Sequence, residues 1–114
     1  MVRRKEDMER EVRENMRGGK GPTVIEHLEK EKLPKNGRLF AKVTVAPGGS
    51  IGEHRHDGEA ELFYFISGSG VVNDDGERVN VTAGDVMTTG DGHSHSVENI
   101  GDVDLELIAV IIKT

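Results

Sequence analysis

The chain has 114 residues, enough for one domain and too few for a second of ordinary size. A net charge of -6 argues against a generic nucleic-acid binder, and the absence of cysteine excludes disulfides, thiolate metal sites and cysteine nucleophiles. No apolar run reaches the roughly 18 residues of a membrane span, and Met1 to Asp7 has no apolar stretch after its positive charges, so neither a membrane partner nor a secretory signal is expected and a cytoplasmic location is the default.

Residues 1–17 are dense in charge. Met8, Val12 and Met16 recur every four residues, and Glu6/Arg10 and Glu9/Arg13 are favourable i, i+4 pairs, so this segment reads as a short, weakly amphipathic helix or an extended arm, with a partly ordered tail as the equal alternative. Gly18-Gly19-Lys20-Gly21-Pro22 breaks it, and the main domain is placed at 18–114. Thr23 to Leu33 is ambiguous between strand and loop, with a turn at Pro34 to Gly37. From Arg38 onward the pattern is all β. Leu39 to Ala46, Glu61 to Ser67, Asp85 to Thr89, His95 to Ile100 and Asp104 to Ile112 read as strands. Val71 to Val81 reads as a hairpin about Asp75-Gly76. With 3 Phe, 1 Tyr and no Trp, the core must come mostly from Val, Ile and Leu, and the 15 Gly suit many tight turns. Short strands punctuated this often indicate a sandwich or barrel.

Four of the five histidines fall in two short segments. His54 and His56 are two apart, so on a strand both imidazoles share a face while Arg55 points away. Glu61 opens the next strand after a turn containing Gly58, and His95 arrives from a distant one. Three imidazoles and a carboxylate suit Mn, Fe, Ni, Co, Cu or Zn, one divalent ion per chain, and suit Ca or Mg poorly. One or two coordination positions would stay open for water or a ligand.

The surroundings of these residues resemble the cupin superfamily. Gly48, His54, His56, Glu61 and Gly68 stand at the intervals of its first motif. Gly84, Gly92, His95 and Asn99 stand at those of its second, with Gly90 where the motif has proline. Nine of ten marker residues match, and the missing proline loosens a turn without removing a ligand. The resemblance implies a double-stranded β-helix, or jelly-roll barrel, with a metal in its mouth held by His54, His56, Glu61 and His95. Phe63 and Phe65 follow Glu61 at even spacing and are expected to form an apolar wall beside it, with Tyr64 pointing away. Phe40 and Met87 are expected to face the cavity too. His93 is a candidate rim or proton-shuttling residue, an exposed loop histidine being the commoner case. His27 has no partner in sequence and reads as structural or exposed.

An open metal in an apolar pocket fits a small-molecule ligand. The expected function is a metal-dependent enzyme of oxygenase, decarboxylase or isomerase type. The alternative is a binding module without turnover; a purely structural metal is a third reading. Family resemblance does not choose among them. A homodimer is expected, because a barrel this small has exposed edges and an apolar final strand, Leu105 to Ile112.

Overall fold

Glycine-, proline- and aspartate-rich turns cut the chain into ten strands in the computed structural model, which describes residues 1–114. These are β1 (Glu9–Glu14), β2 (Pro22–Glu29), β3 (Gly37–Val45), β4 (Ser50–Arg55), β5 (Glu59–Ser67), β6 (Ser69–Asp74), β7 (Glu77–Thr82), β8 (Val86–Thr89), β9 (Ser94–Glu98) and β10 (Leu105–Lys113). They form two antiparallel sheets, one of six strands in the order β1-β2-β3-β10-β5-β8 and one of four in the order β4-β9-β6-β7. This is the expected jelly roll, but no ladder joins the two sheets into a closed barrel.

Period-two burial builds the core between the sheets. In β10, Leu105, Leu107, Ala109 and Ile111 are buried while the residues between them face outward, and in β3 Ala41, Val43 and Val45 do the same. The aliphatic core expected from the composition is present, with Phe63 and Phe65 its only aromatic members. The β6–β7 hairpin closes through Asp75 and Gly76, both at positive φ (52° and 99°), as a two-residue turn of matching twist requires.

The N-terminal segment is not helical. After a single 3₁₀ turn at Lys5–Asp7 it runs as β1 along β2, with Val12 opposite Val24 and Glu11 opposite Ile25. A four-residue apolar spacing fits one helical turn and two strand pleats equally, and cross-strand pairing decides the case. His27 is buried on β2, where its Nε2 meets the Glu11 carboxylate at 2.8 Å, so the structural reading of this histidine holds. The apolar final strand is central rather than peripheral, since β10 lies between β3 and β5.

Candidate metal centre

Two sheets contribute to one focus. His54 on β4 is the direct cross-strand partner of His95 on β9, in the four-stranded sheet. His56 lies just past the end of β4, its backbone fixed by its N–H to the His93 carbonyl at 3.0 Å and by the Gly92 N–H to its own carbonyl at 2.6 Å. Glu61 reaches in from β5 of the six-stranded sheet. His56 Nε2 lies 3.0 Å from His95 Nε2, which is 3.2 Å from His54 Nε2. Glu61 Oε1 lies 2.9 Å from His56 Nε2 and 3.0 Å from His95 Nε2. His56, Glu61 and His95 are buried, and His54 is partly so.

Each imidazole is anchored by its other nitrogen. His54 Nδ1–H donates to the Gly52 carbonyl at 2.8 Å and His56 Nδ1–H to the Glu59 carboxylate at 2.6 Å. Those partners only accept, so both Nε2 atoms carry free lone pairs aimed at the focus. His95 Nδ1 lies 2.7 Å from the Thr89 hydroxyl and completes the set. Burial, and secondarily His95, Arg17 and His56, depress the His54 pKa against the opposing Gly52 hydrogen bond, which favours the neutral, ligating form. Hydrogen bonds from Arg38, ahead of that from His56, hold the Glu59 carboxyl below its usual range.

Lone pairs and a carboxylate this close repel one another unless a cation lies between them. A metal with bonds of about 2.1 Å separates neighbouring donors by about 3.0 Å at right angles and about 3.4 Å at tetrahedral angles. The observed spacings of 2.9 to 3.2 Å fall near the former. The four side chains thus fit one metal ion.

A cavity of about 90 Å³ reaches His54, His56 and Glu61. Of the expected pocket residues, Phe63 alone lines it, and its ring stacks on His95 at 4.9 Å. Phe65 is buried deeper in the core, and Met87 is buried on β8 opposite Phe63 without reaching the cavity. Phe40 is a correction. Leu39, Ala41 and Val43 take the inward positions of β3, so Phe40 stands on the outer face. His93 is exposed and its Nδ1 bonds Asp75 at 2.7 Å on the rim, away from the ligands.

Sequence reasoning missed Glu59, Thr89 and three arginines, Arg13, Arg17 and Arg38, that line the cavity. Glu59 stands two residues before Glu61 on the same face of β5, a signal present in the sequence. Thr89 is the cross-strand partner of Glu61, which no local pattern announces.

Comparison with known proteins agrees with this architecture. The chain is 48% identical over 113 residues to an oxalate-binding protein of Thermotoga maritima, covering 98% of this chain and 93% of the relative. A crystal structure from Thermotoga maritima, described as a predicted oxalate decarboxylase, superposes with a TM-score of 0.93 at 47% identity over the whole of both chains. The Cnp3 cupin domain of Schizosaccharomyces pombe shares the fold alone, with a TM-score of 0.75 at 14% identity over 91% of this chain and 69% of that one. Residues 41–111 match the Cupin domain family, and the chain belongs to it.

Proposed function

We propose that the protein binds a small carboxylate of the oxalate class on a divalent transition metal held by His54, His56, Glu61 and His95. The observation that carries this reading is the pairing of a four-donor metal centre with arginines in one small cavity. The relative named an oxalate-binding protein supports the ligand class. Drug-sized ligands need pockets of roughly 300 Å³ or more, so a cavity of about 90 Å³ suits a ligand of a few heavy atoms. The mixed nitrogen and oxygen donors favour Mn, Fe, Co, Ni, Cu or Zn. When bound, such an ion supplies a Lewis acid for a carboxylate oxygen. The chain's own contribution is to orient the imidazoles through Gly52, Glu59 and Thr89 and to exclude water with Phe63, Leu39 and Ile51.

Binding without turnover fits better than decarboxylation. Replacing carbon dioxide by a proton needs a proton donor, and the titratable groups lining the cavity are three arginines and the ligands themselves. Elemental analysis of the purified protein, followed by thermal melting with oxalate before and after metal removal, tests the reading. A metal-dependent rise in melting temperature without release of formate supports it. Formate release establishes the enzyme, and no shift with any metal refutes ligand binding.

A homodimer is part of the same proposal. On the outer face of the six-stranded sheet, Phe40, Val110 and Leu62 align across three strands, and Ile108, Tyr64 and Val86 align beside them. Phe40, Tyr64 and Val86 are exposed. A second copy covering this apolar face would bury it.

A further inference from the structure

The three cavity arginines are not equivalent. Arg13 Nε is bound to Glu11 Oε1 at 2.6 Å. Arg38 holds both oxygens of Glu59, at 2.7 and 2.9 Å. Arg17 is exposed and has no carboxylate within ion-pairing distance, so it is the uncommitted cation among the residues that line the metal-ligand cavity.

The backbone around Arg17 is shaped to keep it there. Arg17 lies in the 3₁₀ turn Met16–Gly18 that follows β1, at φ 56° and ψ 31°, and Asn15 before it is at φ 52° and ψ 44°. Two left-handed positions filled by residues other than glycine, with only Met16 between them, are costly and persist only where the surroundings impose them. Here the surroundings are β4. A Cβ on Gly52 would overlap the Arg17 carbonyl, and one on Gly19 would overlap the Ser50 carbonyl, so the turn and the strand meet backbone to backbone. The Ser50 N–H to the Lys20 carbonyl at 2.8 Å and the Lys20 N–H to the Ser50 hydroxyl at 2.9 Å tie the segment down. Gly52 is also the residue whose carbonyl orients His54. The position of Arg17 and the direction of a metal ligand are therefore set by the same residue.

We propose that Arg17 is the specificity residue for a dianion: it takes the carboxylate of the ligand that faces away from the metal, and so selects a short dicarboxylate over a monocarboxylate. A guanidinium offers a planar two-pronged donor matched to a carboxylate. This deepens the reading of the cavity as a carboxylate site and rests on it.

The test is calorimetric titration of Mn-loaded protein with oxalate and with acetate, on wild type, Arg17→Gln, Arg17→Lys and Arg17→Gly. Wild type should prefer oxalate. Arg17→Gln should lose at least about ten-fold in oxalate affinity, the scale of one charge-assisted hydrogen bond, with a clearly smaller loss for acetate and the same manganese content. Arg17→Lys should recover part of the loss. Arg17→Gly, which adopts this backbone freely, should melt no lower than wild type and still lose oxalate. Unchanged oxalate affinity in Arg17→Gln, or equal losses for oxalate and acetate, overturns the assignment while leaving the carboxylate site standing. Wild type binding neither anion overturns both.

Discussion

His56 and Glu59 form a hydrogen bond of 2.6 Å that turns a surface ion pair into part of the metal centre, because Glu59 is gripped on its other side by Arg38. The carboxylate fixes which nitrogen of His56 carries the proton and leaves Nε2 free to ligate. Glu59→Gln keeps the shape and removes the charge. It should weaken metal binding by about 10- to 100-fold, the usual cost of losing such a partner. Competition titration against a chelator of known affinity measures it.

Removing a ligand outright should be harsher. His56→Ala or Glu61→Ala should strip the metal, and the melting temperature should then stop responding to added metal. In the wild type, metal at about a hundred times its dissociation constant adds about 2.7 kcal/mol of stability. Elemental analysis with thermal melting before and after dialysis against EDTA reads both effects. Unchanged metal content in these variants would refute the ligand assignment.

Phe63 and Phe40 give a matched pair of opposite expectation. Phe63 is buried against His95, and Phe63→Ala should cost about 3–5 kcal/mol as a large core truncation. Phe40 is 39% exposed on the outer face, and Phe40→Ala should cost well under that when both variants are made in the monomeric background of Tyr64→Glu with Ile108→Lys. Urea unfolding of the two variants, at equal protein concentration, compares them directly.

Acid should loosen the N-terminal strand first. The Glu11 carboxyl is held below its usual 4.5, first by the hydrogen bond from His27 and then by that from Arg13. A group whose folded pKa is depressed contributes stability that is present above its unfolded value and is lost as pH falls through the folded one. The contribution of Glu11 is therefore full at neutral pH and declines below about pH 4.5. Hydrogen exchange at the β1–β2 ladder should accelerate in that range before the β10 core responds. Glu11→Gln should flatten this acid dependence.

Association is checked by light scattering. The intact protein should run at twice 12.5 kDa, and Tyr64→Glu with Ile108→Lys, on adjacent strands of the outer face, should bring it to 12.5 kDa. A wild-type monomer would refute the dimer.

Local spacing made much of the site readable. His54 and His56 sit two apart, Gly48 and Gly68 stand at their motif intervals, and Asp75-Gly76 closes its hairpin as expected. The strands of the core were readable for the same reason, since burial in β3 and β10 alternates with period two. What depends on register was not. Thr89 matters because it pairs with Glu61, and the convergence of His54 with His95 is a cross-strand relation over 41 residues that came through motif resemblance rather than spacing. Phe40 was misplaced by one pleat, enough to turn a side chain to the opposite face. The arginines escaped notice because Arg13 and Arg17 belong to a segment whose apolar spacing does not separate helix from strand.

The charge that made the N-terminus look like a loose arm acquires another meaning once it is seen as the outermost strand of the larger sheet. Five of the six residues of β1 are ionised, Val12 being the exception. A foreign chain adding itself along that border would have to strip water from glutamates and arginines, which makes β1 a guard against fibril growth. Without it, β2 with its Thr23-Val24-Ile25 run becomes the border. Proteolytic trimming ahead of Gly18 should thus make the protein more prone to aggregate, as light scattering before and after cleavage would read.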